Sequence, residues 1–479
     1  MNHKIKFIIP ILLILGLGSC KKALDIEPID SLPNEEAITT PADLKNLVES
    51  VYDGMQSGLA LGGNRVVYAD FFADDAKVIE SNLSPFGTLE MYNRTMTTQI
   101  NDLRNMWRDC YSTINRANNV LRVIESGSLE SHINYNSTDF AVYKATALFA
   151  RATLHFEMVR FWGLSYDPDN IGGNSQLGIP YRKMPTLSGP EGLAMARNSV
   201  EDVYAFSAQD LEEALQAIDT LGDGSDIYDS WHRDRVDKWA IRAYLARIHF
   251  FMGKYTEAAQ YADAVINSGL FSLSAVPRAC FTQNSANNVN EQIFQLVSVA
   301  EDRSGTPAWA YSRFGFPLMR PLASAMSLYP TGDTRVNNSN GYYYVSFFGD
   351  STIAKYDLPN AVNGINMCVL RLAEMYLIVA ESNLSAGGNG DVARATDLYS
   401  ELYELRRGVA PSIPSDQAQL LQDIRLERRL ELMFEGDRLH NLKRMKAPLR
   451  NGIPYNDPSV LFKIPQEEMS GNSLMQQNP

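Results

Sequence analysis

The sequence predicts a mainly α-helical protein in which tetratricopeptide-like helix pairs form a right-handed superhelical body that carries a long, irregular, loop-rich lobe with short strands. Two observations predict this class. Apolar residues recur every three to four positions over several long segments, which is typical of helices with one buried face. In two segments, paired stripes of this kind flank a glycine-containing turn, as in stacked helical repeats. With 479 residues, 45% of them hydrophobic, the chain can bury a large core.

The N-terminal residues have the pattern of an export signal. Two lysines precede the apolar run Phe7–Leu17, which is shorter than the roughly 20 residues that a membrane-spanning helix needs. The segment Leu17–Cys20 (LGSC) is similar to a bacterial lipobox, in which small residues precede a cysteine that receives lipid. We therefore predict a signal peptide over residues 1–19, lipidation of Cys20 and a tether over residues 20–42. An ordinary signal peptide without lipidation is the alternative.

After the tether, we predict one body over residues 43–479, with a first helix from about Asp43. Its helix-pair scaffold is expected at about residues 100–267 and 370–445. Further helical stripes lie at residues 103–121, 143–161 and 200–218.

The clearest helix pair is predicted at residues 236–267. Trp239 and Phe250 lie on the apolar face of its first helix, Gly253 interrupts the pattern, and alanine-rich turns of a second helix follow. A second pair is predicted at residues 370–405, with its turn at Gly387–Gly390.

A charge-dense helix is predicted from Gln419 to Phe434. Three glutamates at spacings of four stack like charges on one of its faces, which is unfavourable unless arginines neutralise them. We interpret this helix as a structural buttress. The glutamates are Glu427, Glu431 and Glu435, and the candidate partners are Arg428, Arg438, Arg371, Arg151 and Arg160.

Regular patterns give way to loops in residues 162–199 and 268–369, which are rich in Gly, Pro, Asn and Ser. Short strands are expected near Gln292–Val299 and Tyr342–Phe348. Loops of this length inside a compact body are usually functional, and their many aromatic residues argue against disorder. We therefore predict the binding lobe at about residues 60–100 and 268–369.

Composition and motifs exclude several functions. The net charge of −13 argues against a nucleic-acid binder and against attraction to an anionic membrane surface. Four scattered cysteines form neither a disulfide framework nor a CxxC metal site. The common hydrolase and nucleotide-binding motifs are missing, so we predict no enzyme, no cofactor and no metal.

Acidic residues leave two other interpretations to weigh. Asp70, Asp74 and Asp75 could in principle supply the two carboxylates of a glycosidase, but a helix with its rings packed inward and its aspartates solvated explains them more simply. Two further acidic groups are interpreted as turn residues rather than as calcium loops, because neither continues to a correctly placed glutamate. They are Asp167, Asp169 and Asn170, and Asp223 and Asp226.

Several motifs together resemble the SusD/RagB lipoproteins of Bacteroidetes, and the resemblance covers essentially the whole chain. They are Ser19–Lys22 (SCKK), Leu24–Pro28 (LDIEP), Trp107–Asn118, Leu370–Leu377 (LRLAEMYL), Glu427–Leu432 (ERRLEL), Phe434–Arg438 (FEGDR), Ile464–Glu468 (IPQEE) and Gln477–Pro479 (QNP).

The resemblance implies a helical body with an irregular lobe, held by lipid alone at the outer face of the outer membrane. It also implies a partner, a SusC/RagA-like TonB-dependent transporter, over which the lipoprotein sits as a hinged lid. Members of the family capture oligosaccharides, or in some branches peptides, without catalysis. A scaffold protein of the cell envelope that binds no nutrient is a further alternative.

A glycan ligand would need aromatic rings to cover its apolar sugar faces and polar side chains to bind its hydroxyl edges. Two segments, residues 65–94 and 309–316, offer that mixture. Packing within the loops is the alternative for any single ring, and Trp309 and Tyr311 are the strongest candidates because no helical stripe accounts for them. The candidate ligand-binding residues are Tyr68, Asp70, Phe72, Asp74, Asn82, Tyr92, Asn93, Arg94, Trp309, Tyr311, Arg313 and Phe314, with Phe316 nearby.

Overall fold

The computed structural model describes most of the chain after the tether. The described residues are 38–85, 87–186, 194–221, 233–284, 288–299, 306–346, 351–357 and 364–479. The predicted signal peptide, the predicted lipidation of Cys20 and most of the tether lie outside the described residues, as do Asp223, Asp226 and the end of the strand predicted to reach Phe348. Among the described residues, no helix combines the length and apolar composition that crossing a membrane requires.

Helices form most of the described structure, which confirms the predicted fold class. In chain order they are α1 (Pro41–Gln56), α2 (Asn64–Phe72), α3 (Thr88–Asn93), α4 (Asn101–Glu125), α5 (Ser137–Trp162), α6 (Val200–Ile218), α7 (Lys238–Phe251), α8 (Tyr255–Asn267), α9 (Thr306–Tyr311), α10 (Ala323–Met326), α11 (Leu372–Leu384), α12 (Val392–Arg407), α13 (Gln417–Leu432), α14 (Asp437–Arg444) and α15 (Gln466–Gly471). Single 3₁₀ turns lie at Glu80–Asn82, Ala279–Phe281, Arg450–Gly452 and Pro458–Val460.

Local chemistry fixes where the predicted helices begin and turn. The Thr40 side chain accepts a hydrogen bond from the Asp43 backbone N–H, and the Asp43 carboxylate accepts one from the Thr40 N–H, so a capping box starts α1 close to the predicted position. Between α7 and α8, Gly253 has φ +74°, and a Cβ there would lie 2.7 Å from Pro168, so only glycine fits this turn. Both predicted helix pairs are present, as α7 with α8 and α11 with α12.

Helix α5 lies inside the helical body and is covered by other elements on all its faces. It is buried from Ala145 to Trp162 and packs against α4 and α6. Alanines such as Ala147 and Ala150 allow those neighbours to approach closely. This helix is therefore a buried element shared by its neighbours on both sides of the chain, α4 and α6.

Three short antiparallel strand pairs fasten the loop segments to each other. The strands are β1 (Ala76–Val78), β2 (Gln292–Leu296), β3 (Met319–Pro321), β4 (Tyr343–Val345), β5 (Ser351–Ile353) and β6 (Met367–Arg371), and they pair as β1–β3, β2–β6 and β4–β5. The β1–β3 pair sets Lys77 opposite Arg320, which joins the chain after α2 to the segment that follows residues 309–318. This pairing brings the two predicted binding segments together.

The predicted buttress helix is α13, and its glutamates are neutralised mainly by arginines from distant segments. Glu431 is fully buried and accepts hydrogen bonds from Arg335 (3.0 Å), Arg371 (2.8 Å) and Arg406 (2.8 Å). Glu427 pairs with Arg335 at 2.7 Å. Burial alone would raise the pKa of Glu431, but the Arg406 and Arg371 guanidinium groups outweigh it and hold that pKa well below the ordinary value.

Among the candidate partners of these glutamates, Arg371 is confirmed as the one of three alternatives from across a helix interface, and the predicted pairing of Arg428 and Arg438 with them is wrong. Arg371 also binds Glu435 at 2.7 Å. Each of the other four lies beside a nearer carboxylate and pairs with it instead. The pairs are Arg428 with Asp437 (2.7 Å), Arg438 with Asp74 (2.7 Å), Arg151 with Asp210 (2.6 Å) and Arg160 with Glu157 (3.0 Å).

Candidate ligand-binding surface

Three large aromatic side chains are exposed within one short segment. Trp309, Phe314 and Phe316 have 43%, 44% and 45% of their surface accessible, and we call them the ring surface. The rings of Trp309 and Phe316 stack with centroids 5.6 Å apart and planes inclined by 23°. Exposed aromatic groups clustered in this way mark an interaction site more often than isolated ones do.

The backbone that carries the three rings folds back on itself through hydrogen bonds. The Phe316 N–H donates to the Trp309 carbonyl (2.8 Å), and the Leu318 N–H donates to the Ala310 carbonyl (2.7 Å). At Gly315, a Cβ would lie 2.4 Å from the Trp309 carbonyl oxygen, so a side chain there would open the turn. The rings therefore project from a fixed support.

Arg313 joins the ring surface to a buried carboxylate. Its Nε lies 2.7 Å from an Asp357 carboxylate oxygen, and its guanidinium lies 4.9 Å from the centre of the Phe314 ring and 4.2 Å from that of Tyr344. The other Asp357 oxygen accepts a hydrogen bond from Ser312 Oγ at 2.6 Å. About a third of the Arg313 side chain remains exposed, so it can also bind a ligand hydroxyl.

The segment around α2 supports the ring surface from below. Tyr311 is fully buried, and its hydroxyl donates to Asp70 Oδ2 at 2.6 Å. Asn82 Nδ2 donates to the Pro317 carbonyl at 2.9 Å. A Cβ on Gly63 would lie 2.2 Å from Pro307, which shows how closely the two segments approach.

Four predicted ligand contacts are wrong, because their side chains are buried. Tyr68, Phe72, Asp70 and Tyr311 have 4% or less of their surface exposed. The rings of Tyr68 and Phe72 pack against Phe462 at 6.2 Å. Helix α2 packs against α9 and α14 and is buried from Arg65 to Phe72, so its rings belong to the core and present no face to a sugar.

The Asp70 carboxyl has an unusual protonation state for the same reason. Burial raises its pKa to about 8, although the hydrogen bond from Tyr311 opposes that change. Near neutral pH, Asp70 is therefore mainly an uncharged acid inside the support.

Asp74 is held in ion pairs but keeps about a third of its side chain exposed, so its role in binding a ligand stays a prediction. It accepts hydrogen bonds from Arg438 at 2.7 and 2.8 Å and from Arg429 at 3.3 Å. Burial would raise the pKa of Asp74, but the Arg438 and Arg429 guanidiniums lower it overall. The neighbouring Asp75 is buried against Arg429 as well, so the expectation of solvated aspartates is wrong for Asp70 and Asp75.

Tyr92, Asn93 and Arg94 lie at the other end of the α2 segment. Arg94 has φ +60° and donates to the Arg450 carbonyl at 2.8 Å, and the Arg450 guanidinium lies 3.8 Å from the Tyr92 ring centre. Asn93 is exposed. Their contacts connect α3 to the 3₁₀ turn at Arg450–Gly452, and a role in binding stays a prediction for these three residues.

Two residues at this surface were missed by sequence reasoning. Tyr344 was assigned only to a strand, and nothing in the sequence indicated that Asp357 would anchor Arg313.

The acidic residues interpreted as turn residues bind a lysine side chain. The Nζ atom of Lys446 lies 2.8 Å from the Asp167 carboxylate and 2.7 Å from the Asp169 carboxylate. Among the described residues, no group of His, Cys, Asp and Glu side chains has the arrangement of a metal site.

Comparison with known proteins identifies relatives of the chain along its whole length. Residues 24–250 match a family model described as starch-binding associating with outer membrane, and residues 322–459 match the model of the SusD family. SusD-like protein P38 of Formosa agariphila is 24% identical, over 100% of this chain and 98% of that protein. A SusD-like protein of Bacteroides ovatus is 23% identical, over 74% of this chain and 67% of that protein.

Solved structures show the same fold. A SusD superfamily protein of Bacteroides thetaiotaomicron has a TM-score of 0.77 at 22% identity, over 92% of this chain and 100% of that one. A SusD-like carbohydrate binding protein of Bacteroides vulgatus has a TM-score of 0.74 at 17% identity, over 91% of this chain and 98% of that one.

Proposed function

This chain belongs to the SusD family, and on that premise we propose that it captures oligosaccharides outside the cell and delivers them to a SusC-like TonB-dependent transporter. The family is associated with the outer membrane and with starch binding. The ring surface is the observation that carries the proposal. Exposing three nearly half-accessible rings to water is unfavourable, so such a cluster is typical of a surface that binds a ligand.

Sugar binding follows from the geometry of these groups. The stacked rings of Trp309 and Phe316 offer an apolar face to the C–H face of a sugar ring, and the remaining donors of Arg313 can bind its hydroxyl edge. Because the support is already ordered, little conformational entropy is lost on binding. The ring surface therefore suits capture of a flexible oligosaccharide.

The carboxylates near this surface support binding without catalysis. A glycosidase needs one carboxylic acid and one carboxylate facing the same glycosidic bond. Asp70 has the raised pKa of an acid but is buried beneath Tyr311, while Asp74 and Asp75 are engaged by arginines. We propose that the protein leaves its ligand chemically unchanged.

Titration calorimetry of the full mature protein against a panel of oligosaccharides tests the proposal. We expect binding that Trp309→Ala weakens about tenfold, because a stacked ring contributes on the order of 1 kcal/mol. Trp309→Phe keeps a ring and should lose less, and Ile133→Ala removes an exposed apolar side chain elsewhere and should change nothing. Silence across the panel would contradict glycan capture.

Peptide capture and a pure scaffold role give different results in two further measurements. Mass spectrometry of molecules that copurify with the native protein would show peptides in the first case. In the second case, the protein would copurify with a transporter, and cells would keep full nutrient uptake when Trp309, Phe314 and Phe316 are all replaced by alanine.

We also propose that Cys20 carries lipid and holds the body at the membrane surface. Several acyl chains together bind a bilayer almost permanently, since each buried CH₂ contributes about 0.8 kcal/mol. Cys20→Ala should move the protein from the membrane fraction to the soluble fraction. Unchanged fractionation would refute the anchor without affecting the ring surface.

A further inference from the structure

Three buried arginines from separate helices meet around one carboxylate, and we call them the arginine cluster. They are Arg65 of α2, Arg160 of α5 and Arg247 of α7. Glu157 Oε2 lies 3.4 Å from Arg65 Nη1 and 3.0 Å from Arg160 Nη2. Its Oε1 lies 3.9 Å from Arg247 Nη1. All four residues have 9% or less of their surface exposed.

The charges of the arginine cluster do not balance. Arg247 has a partner of its own, because its Nε and Nη2 donate to the two oxygens of Glu374 at 2.8 and 2.6 Å. Burial would raise the pKa of Glu157, but the arginines lower it to about 2, so this carboxylate carries one full negative charge. Three arginines therefore face two carboxylates. The positive charge that remains is buried, which is unfavourable without a counterion.

The surroundings of Arg160 add further positive charge. Lys443 Nζ donates to the Arg160 carbonyl at 3.2 Å, and burial together with the Arg160 charge lowers the pKa of Lys443 to about 7. His440 is buried nearby, and burial followed by the charges of Arg160 and Lys443 holds its pKa well below the ordinary value. Both shifts are typical of a region with an excess of positive charge.

Two donors of the arginine cluster have no acceptor. In the part of the chain that the structure describes, no atom accepts a hydrogen bond from Arg65 Nε or from Arg160 Nε, and both nitrogens are buried. Aromatic rings beside Arg160 compensate part of its charge, but they do not supply an oxygen or an anion. Buried donors of this kind are normally satisfied by a water molecule or an ion.

Both arginines line one cavity, at the junction of α2, α5, α7 and β6. Its volume is about 40 Å³, which is enough for a small ion or a few water molecules. The carboxylates that line it are already engaged, since each pairs with an arginine at 2.6 or 2.7 Å. They are Glu374, Glu435 and Asp437. The unsatisfied groups that face this space are thus donors with a positive charge.

We propose that this cavity binds one small inorganic anion of the size of chloride, which accepts hydrogen bonds from Arg65 Nε and Arg160 Nε. Charge-assisted hydrogen bonds from guanidinium groups are the usual means by which proteins hold anions. The anion neutralises the charge that Glu157 and Glu374 leave uncompensated, and it joins α2 to α5. The anion site shares no residue with the ring surface, so it stabilises the body rather than recognising a sugar.

Bromide tests the site directly, because it replaces chloride and its anomalous X-ray scattering identifies it. Crystals of the mature protein soaked in sodium bromide should show an anomalous peak in contact with Arg65 Nε and Arg160 Nε. Crystals of Arg65→Met should lose this peak and keep any bromide peaks at the surface. Density without an anomalous signal in the wild-type cavity would identify water there and overturn the proposal.

Thermal unfolding gives a second test that is independent of ligand binding at the ring surface. Sodium chloride is compared with sodium gluconate at equal concentration, since gluconate is too large for the cavity. For each tenfold increase in chloride above the dissociation constant, the Tm of the wild type should rise by about 2 °C relative to gluconate.

Two variants show whether this rise comes from the arginine cluster. Arg65→Met removes one donor and the excess charge, so its Tm should lack the chloride-dependent rise. Arg116→Met removes a positive charge from the partly exposed pair with Asp53 and should respond to chloride as the wild type does. Equal salt responses of wild type and Arg65→Met would refute the anion site, whatever the outcome of the sugar titrations.

Discussion

We call the buried ion pairs of Glu431 with Arg335, Arg371 and Arg406 the joint. Compared with most proteins, charged residues at the joint and aromatic residues at the ring surface have exchanged their usual positions. At the joint, Arg335, Arg406 and Glu431 are completely buried, whereas Trp309 and Phe316 at the ring surface are nearly half exposed. Buried ion pairs contribute little net stability but fix which segments meet, since any other register would leave a charge unpaired. Exposed rings do the opposite, because they add nothing to the core and keep a surface for a ligand.

This difference separates two roles within one chain. The ion pairs connect α12, α13, β6 and the segment around Arg335, and so hold the loop lobe on the helical body. The ring surface depends on that attachment but does not contribute to it. Changes at the joint should therefore alter stability, and changes at the ring surface should alter binding alone.

The largest expected effect comes from Glu431→Gln. The change leaves Arg335, Arg371 and Arg406 without a shared carboxylate in a buried site, so we expect a loss of about 3–5 kcal/mol in the free energy of unfolding. Chemical denaturation measures it. Glu213→Gln, which breaks the partly exposed pair with Lys144, serves as the control and should cost less than about 1 kcal/mol. Equal effects of the two changes would erase the distinction between joint and surface.

A pH-dependent effect is expected from Asp70, in the segment that supports the ring surface. Its folded pKa is about 8 against 3.8 in the unfolded chain, so unfolding releases a proton between these values and stability falls as pH rises from about 4 to 8. The slope is at most about 1.4 kcal/mol per pH unit. Asp70→Asn keeps an acceptor for the Tyr311 hydroxyl and should flatten this part of the stability profile.

Thermal or urea unfolding at several pH values checks the Asp70 prediction. The exposed Asp53→Asn variant is the control and should follow the wild-type profile, because its carboxylate lies at the surface. If Asp70→Asn and wild type lose stability in parallel from pH 4 to 8, the carboxyl is ionised in the folded protein and the inference from burial is wrong.

The smallest effect on stability is expected from Trp309→Ala. Because 43% of its surface is exposed, its removal should change the free energy of unfolding by no more than about 0.5 kcal/mol. The same change should lower the affinity for sugar about tenfold. Comparing its urea midpoint with that of Tyr311→Phe sharpens the contrast, because loss of the hydrogen bond to buried Asp70 should cost about 1 kcal/mol or more. A Trp309→Ala variant less stable than Tyr311→Phe would place Trp309 in the core.

The sequence by itself determined the helical class and the positions of the two helix pairs. Apolar stripes and Gly253 mark α7 and α8 locally, because helix periodicity and a left-handed turn depend on residues only a few positions apart. The aromatic loop at residues 309–316 was recognisable for the same reason, as rings without a helical stripe.

Only the tertiary structure decided which rings face solvent and which charges pair. Tyr68 and Phe72, like Trp309, are aromatic residues in a segment that also contains polar side chains. They are nevertheless buried, because helices from distant parts of the chain pack against α2. Glu431 is neutralised by Arg335 and Arg406 rather than by Arg428, because residues from separate segments converge on it when the chain folds. Burial and ion pairing are set by such long-range contacts, and no local pattern encodes them.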